Sequence, residues 1–451
     1  MADRPVHQAF ATDARDRPPA DSPRLLAGIR PDRPLGLAEH VAVHGALPAV
    51  RSRRSSLSAN SRRSQHPVVA ELAASGLTGR GGAGFPFARK LAAVAEASPR
   101  PAVVVNVAES EPAAMKDAVL ATRSPHLILD GAEVVARVLG AREVIVWTHR
   151  GAEQVSSALQ RAIGERPDAG LRWQIVAGPD RYVAGEASAV VRHLSGGPAK
   201  PTTSPPRVDQ RGVDGKPTLL SNAETYAQVA LIVRHGAAWF RQVGTADEPG
   251  TILVTLAGSV RSAGVVEVPF GTRLGDLLTA HGGTSEPVDA VLVGGYAGRW
   301  LPWSTAADLR LSREAFRAAG AELGVGLMAF LPARRCGLAE TARLTRWLAG
   351  ESAGQCGPCL NGLPSMANAL DHLVRAGDVR TPPLIRRWAG QVRGRGACHH
   401  PDGVAGLVTS ALEVFSGAVD AHVMDDSCAG CREPAVFAVP QHGVLTEASW
   451  R

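Results

Sequence analysis

Gly76-Leu77-Thr78-Gly79-Arg80-Gly81-Gly82-Ala83-Gly84-Phe85-Pro86 joins two stretches of helical composition, Val68–Ser75 and Phe87–Ala97. Within it, Gly79–Gly84 sets four glycines around one cation. A backbone this bare lets N–H groups close on an anion, and the start of the following helix adds favourable charge. Lys90, one turn into that helix, is placed to reach a phosphate, and it is one of only four lysines among 49 basic residues. The run is neither a Walker A loop nor a dinucleotide fingerprint, because it does not directly follow a strand. Flexible connectors share this composition, so the surrounding chain decides its meaning.

Working outward, Ala102–Ala108 reads as a buried strand, Leu127–Leu139 as a helix and Glu143–Trp147 as a second strand. Ala152–Ile163 follows as a helix and Arg172–Val176 as a third strand. Such alternation predicts a sheet with helices on its faces. The segment 106–117 leaves the end of the first strand with Asn106, Glu109, Glu111, Lys116 and Asp117, at the edge where α/β sheets bind ligands. After a Pro-rich break at 198–217 and a helix near Glu224–Val233, the texture turns β-rich at 251–260, 264–271 and 290–298. A helix near Leu274–His281 completes what reads as a ubiquitin-like grasp. Leu338–Leu348, Leu363–Val374, Leu384–Val392 and Val404–Phe415 predict a small bundle around the cysteines. The expected class is α/β: a disordered Arg/Pro-rich leader at 1–65, a nucleotide-binding α/β domain at 66–245, a β-grasp at 246–332, a helical metal domain at 333–420 and an irregular tail at 421–451.

Of the 451 residues, 45% are hydrophobic and 20% charged, which supports several cores and excludes a wholly disordered chain. No apolar run approaches the roughly 20 residues of a membrane-spanning helix, and no secretory signal opens the chain, so a cytoplasmic protein is expected. The net charge is +7, but residues 1–64 carry eleven Arg against six acids, which places +5 of it there. Arg51, Arg53, Arg54, Arg62 and Arg63 could touch a nucleic acid; a solvated leader is the simpler reading, and no nucleic acid is expected. All six cysteines lie in the last 116 residues, the pattern of a metal or redox site rather than a disulfide framework.

Taken together, the loop, the acidic segment, Tyr182–Ala187, Ser221–Thr225 and Glu351–Gly362 resemble the NADH-binding flavoprotein of respiratory complex I, its F-type subunit. NAD-linked hydrogenases and formate dehydrogenases share that component. The resemblance spans about residues 70–415 and implies that Gly79, Arg80, Gly81, Lys90, Asn106, Glu109, Gly185, Glu186 and Asn222 cradle FMN. It places Phe85, Glu111, Tyr182 and Lys200 around NADH, and the middle β module resembles the family's soluble-ligand-binding β-grasp. Cys356, Cys359 and Cys398 match three ligands of a [4Fe–4S] cluster, while Ala353 stands where a fourth cysteine belongs. Cys336 is a candidate replacement, a three-iron cluster is the fallback, and zinc on these cysteines with His399 or His400 is the competing metal. Cys428 and Cys431 form a second Cys-x-x-Cys whose role stays open between disulfide, redox pair and supplementary ligand.

Departures from the family pattern fall at Ala93, Ala108, Ala187 and Ser221, each removing a polar or aromatic contact on the nucleotide side. Two functions therefore stand. One is a dehydrogenase module passing hydride from NADH to FMN, and electrons through the cluster to a ferredoxin, a [2Fe–2S] protein or a membrane reductase. The other is a non-catalytic iron–sulfur electron-transfer or assembly protein that has lost NADH oxidation.

Overall fold

The computed structural model describes residues 23–50, 66–98, 100–167, 170–424, 428–440 and 446–451. Four parallel strands form the first sheet: β1 (Ala102–Asn106), β2 (Glu143–His149), β3 (Arg172–Gly178) and β4 (Thr218–Asn222), in the order β3-β2-β1-β4. Val103, Val104 and Val105 are buried in β1, as a parallel strand covered on both faces requires. From β1 the chain winds to β2 and β3 on one side and returns to β4 on the other. The order of the sheet thus reverses between β1 and β4, where Asn106 pairs with Asn222 at the C-terminal edge.

The helices flanking this sheet include α1 (Leu37–His44), α2 (Pro67–Ser75), α3 (Phe87–Ala97), α4 (Lys116–Arg123), α5 (Pro125–Leu139), α6 (Glu153–Glu165), α7 (Ala187–Leu194) and α8 (Ala223–Phe240). Helix α8 runs past its expected end and bends at Gly236, whose φ is +88°.

A second, mixed sheet holds β5 (Thr251–Gly258), β6 (Gly264–Pro269), β7 (Val288–Val293), β8 (Arg299–Pro302) and β9 (Leu327–Pro332), ordered β6-β5-β9-β7-β8. Only β5 and β9 run parallel among its pairs. With α9 (Leu274–Ala280) covering it through Leu274, Leu277 and Leu278, and short α10 (Trp303–Ala306) and α11 (Arg313–Ala318) beside it, this is the grasp. The bundle follows: α12 (Gly337–Gly350), α13 (Leu363–Ala376), α14 (Thr381–Val392), α15 (His400–Val414) and α16 (Ser416–Met424). No single helix among the described residues is long and apolar enough to cross a membrane.

The expected disordered leader is corrected for residues 23–50, which pack on the first domain and against β6 of the grasp; residues 1–22 and 51–65, including the arginines from 51 to 63, lie outside the described residues. Leu25 and Leu35 are buried. The Glu267 carboxylate accepts from the main-chain N–H groups of Arg24, Leu25 and Leu26 at 2.8, 2.8 and 3.0 Å. Helix α1 brings His40 to Asp130 on α5 (2.7 Å), where Arg166 (2.7 Å) and Arg234 also converge. Sequence composition hid this because the apolar contribution of the segment is small and its anchors are polar.

Burial opposes ionisation of Asp130, but its bond to His40 and the charges of Arg166 and Arg234 hold its carboxyl well below the usual range. Its contribution to stability is therefore present above the ordinary carboxylate pKa and is lost on acidification. Asp130→Ala strands two buried guanidinium groups and should cost about 3–5 kcal/mol at neutral pH, with a smaller deficit in acid. Urea unfolding of both chains at two pH values checks this; equal midpoints at neutral pH would contradict it.

Candidate cofactor sites

Three loops meet at the reversal between β1 and β4. The glycine loop sits against the start of α8: a Cβ at Gly81 would lie 3.2 Å from the Asn222 Cβ, and the Arg80 N–H donates to Thr225 Oγ1 at 2.9 Å. The acidic segment is fixed by Asn106, whose Nδ2 donates to the Gly185 carbonyl at 2.9 Å. The turn Tyr182–Gly185 closes over that segment, and a Cβ at Gly185 would come within 2.6 Å of Ser110 Oγ, so a larger residue there would press on the hydroxyl that bonds His149 Nε2 (3.1 Å). Glu186 caps α7 by accepting from the N–H groups of Ser188 (2.9 Å) and Ala189 (3.2 Å).

Beneath the loops lies a buried charge network whose membership was only partly expected. Lys116 Nζ donates to Asp117 Oδ1 (2.9 Å) and Asn222 Oδ1 (3.0 Å) and stands 3.2 Å from Glu224. Asn222 Nδ2 donates in turn to Asp117 Oδ2 at 2.7 Å. Burial opposes the charge, yet Asp117, Glu224 and Glu109 hold the Lys116 ammonium above its usual range. Glu109 accepts from the first N–H groups of α4 at Asp117 and Ala118 (3.4 and 3.2 Å), while burial and the Asp117 charge push its carboxyl up. Glu224 was missed from sequence; the rarity of lysine was the available signal for Lys116. The Arg80 side chain is buried over the Phe270 ring (4.7 Å) of the grasp and 3.8 Å from Glu224, with Nε and Nη2 lacking hydrogen-bond partners. It thus braces the domain junction.

Lys90 differs from the other three lysines. Its Nζ donates to the Leu220 carbonyl, burial pulls its pKa down, and it makes no ion pair among the described residues. A largely dehydrated ammonium with one neutral acceptor is suited to an anion such as a flavin phosphate. On that observation the residues fit FMN.

The expected nucleotide residues divide. Phe85 is exposed at the loop (41%), with Arg89 5.7 Å from its ring centre. Tyr182 donates from its hydroxyl to Glu111 Oε2 at 3.1 Å, while Glu111 Oε1 is buried without a partner. Lys200 is instead engaged by the C-terminal turn: Nζ pairs with Glu447 at 2.7 Å and lies 5.4 Å from the Trp450 ring.

The Tyr182 turn also touches the metal region. The N–H of Tyr182 donates to Glu351 Oε2 at 2.9 Å, and Arg181 pairs with Glu351 Oε1 at 2.9 Å. The Tyr182 ring packs on Trp347 and His400, each at 5.4 Å. Cys356, Cys359 and Cys398 come together around a π-helical turn, Pro358–Gly362. Burial, Cys356 and Cys398 push the Cys359 thiol up to about 12, against a hydrogen bond from Ser352. Burial also pushes Cys398 up, and the nearby Glu186 carboxylate adds to the shift.

These three sulfurs are not a set within 4.8 Å of one another; among the described residues that compactness occurs only at Cys336, His422, Cys428 and Cys431. The wider spread suits a polynuclear cluster better than one ion. Among the described residues neither histidine forms a compact ligand set with these cysteines: His400 donates from Nε2 to the Leu348 carbonyl (2.9 Å), and His399 lies exposed beside Asp402 (3.6 Å). Cys336 is not the missing ligand either. It caps the far end of α12, and that helix of 14 residues spans about 21 Å before the motif begins.

An FMN-type α/β domain, a grasp and a cysteine-bearing bundle define an electron-transfer flavoprotein. Residues 72–231 match the Nuo51 FMN-binding domain, 253–295 the SLBB domain, and 339–422 the NADH-ubiquinone oxidoreductase-F iron-sulfur binding region. An F-type subunit of the NADH-quinone oxidoreductase of Rhizobium meliloti (strain 1021), the second of that kind, is 30% identical over 379 residues, covering 80% of this chain and 90% of that protein. The F-type subunit of the Salmonella typhimurium NADH-quinone oxidoreductase is 31% identical over 370 residues, covering 77% and 82%. The crystal structure of an NAD+-reducing [NiFe]-hydrogenase in the H2-reduced state superposes with a TM-score of 0.73 at 31% identity, over 80% of this chain. This chain spans 63% of that hydrogenase chain. The chain belongs to the family of F-type subunits of NADH-quinone oxidoreductase.

Burial pushes the Glu111 carboxyl up to about 7, against hydrogen bonds from Tyr296 and Tyr182. A raised native pKa means that its favourable contribution is complete below the unfolded carboxylate value and fades as pH rises through 7. Glu111→Gln should therefore flatten the decline of Tm between mildly acidic and slightly alkaline pH. Parallel Tm profiles for the two chains would contradict this.

Proposed function

We propose that this chain is the NADH-oxidising flavoprotein component of a multi-centre oxidoreductase. FMN would be held by Gly79, Arg80, Gly81, Lys90, Asn106, Glu109, Gly185, Glu186 and Asn222, the nicotinamide nucleotide by Phe85, Glu111, Tyr182 and Lys200, and the cluster by Cys356, Cys359 and Cys398. Bound FMN supplies the conversion of a hydride into single electrons. Lys90 would give a flavin phosphate its counter-charge, and Asn106 fixes the acidic segment against Gly185. Glu111 can hold or yield a proton near neutral pH. Phe85 offers a face for stacking.

The observation that carries this reading is the turn Tyr182–Glu186, which faces the acidic segment on one side and the cluster motif on the other. Electrons would leave near Leu360, which follows Cys359 and is 59% exposed. Arg386, Arg387, Arg393 and Arg395 are exposed on and just after α14, a rim that suits an acidic carrier such as a ferredoxin. The engagement of Lys200 by Glu447 and Trp450 favours the non-catalytic alternative, because it occupies a group assigned to the nucleotide.

Anaerobic isolation followed by NADH titration separates the two. Stoichiometric flavin that NADH bleaches is expected, with Lys90→Met retaining much less flavin. Flavin that NADH leaves oxidised would support the alternative, and iron without flavin would overturn the flavoprotein reading.

A further inference from the structure

Three cysteines that the flavin and cluster sites do not use meet a histidine at one end of the bundle. Cys336 caps the start of α12, His422 stands in the last turn of α16, and Cys428 and Cys431 bracket a short turn of the tail. One ligand atom from each lies within 4.8 Å of all the others. The Cys336 and Cys431 sulfurs stand 3.4 and 3.5 Å from His422 Nε2. A tetrahedral ion bound at about 2.3 Å to sulfur and about 2.0 Å to nitrogen separates such atoms by roughly 3.5 Å. We propose that Cys336, His422, Cys428 and Cys431 form a structural Cys3His zinc site that fastens the C-terminal tail to the helical bundle.

The donor set and its surroundings both point to a single closed ion. Three thiolates and an imidazole fill all four tetrahedral positions, which leaves no open position for catalysis. The mutual reach of the four atoms leaves room for one ion and none for a polyhedral iron cluster. The His422 ring also bonds the main chain of Val374, the type of outer contact that fixes a ligand's tautomer and leaves its other nitrogen for the metal. The N–H of Ala339 donates to Cys336 Sγ at 3.4 Å, and the start of α12 favours a thiolate there.

The tail is shaped to deliver its two sulfurs. A Cβ at Gly430 would meet the Cys336 nitrogen at 2.7 Å and the Arg334 carbonyl at 3.1 Å, so glycine alone lets the Cys428–Cys431 turn sit this close. Next to the contact, Arg334 pairs with Glu433 (2.6 Å) and Arg335 donates to the Pro434 carbonyl (2.7 Å). The assignment explains the second Cys-x-x-Cys, and it separates Cys336 from the iron site.

The test is elemental analysis of the full-length holoprotein isolated anaerobically. Zinc in stoichiometric amount is expected beside the cluster iron. The Cys428→Ser/Cys431→Ser double variant should lose the zinc and keep the iron, while Cys359→Ser should do the reverse. Zinc absent from the wild-type protein, zinc surviving the double variant, iron in its place, or a Cys428–Cys431 disulfide in non-reducing peptide maps would each overturn the proposal. Zinc-edge X-ray absorption on the wild-type protein needs no variant to fold. It should show a shell of three sulfurs and one nitrogen, and an oxygen-dominated shell would overturn the site.

Discussion

Glu351 accepts from the N–H of Tyr182 and pairs with Arg181, and the working geometry of the molecule depends on that joint. The residue ends α12 and begins the cysteine motif, while its partners begin the turn that closes over the acidic segment. Burial pushes its carboxyl up, and the Tyr182 N–H and the Arg181 charge oppose that shift, so the charged form draws its support from the contact. A buried pair of this kind contributes little to net stability, but losing one partner is costly, which makes the docking geometry specific. Through the Tyr182 hydroxyl, the same joint reaches Glu111 on the flavin side.

The two halves are joined again through α7 and the segment after it. Gln355, beside the first cysteine of the motif, accepts from Arg192 at 3.0 Å and donates to the Pro201 carbonyl at 2.8 Å. Glu186, which caps that helix, adds to the upward shift at Cys398. Arg80 serves the corresponding purpose toward the grasp by lying over Phe270. The cofactor loops are therefore clamped from both sides by charged or polar contacts made across domain boundaries, on a rigid sheet edge.

Local rules carried three of the four strands of the first sheet and most of the helices: the valine run of β1, the helix after the glycine loop and the start of the grasp stand where periodicity and composition place them, whereas β4, after the Pro-rich break, and β9 were not read as strands. The site was legible wherever its residues are adjacent in sequence, as with Cys356 and Cys359 or Asn106 and Glu109. Remote members such as Cys398 and Asn222 were reached only through the family resemblance, and other remote partners stayed hidden. Sequence spacing leaves Cys336 free to fold back twenty residues, but α12 is a stiff rod that holds it away from the motif and beside His422. Lys200 finds Glu447 across 247 residues, and Asp130 holds α1 through His40 across 90. No spacing rule encodes such encounters, because long-range packing alone creates them.

The Tyr182–Glu186 turn links the proposed flavin and cluster sites within this chain. The direct measurement is anaerobic rapid mixing of the holoprotein with NADH, following flavin absorbance and freezing samples for electron paramagnetic resonance of the cluster. Cluster reduction should follow flavin reduction without an added mediator. Flavin reduced by NADH beside a cluster that remains oxidised, although dithionite reduces it, would contradict the coupling.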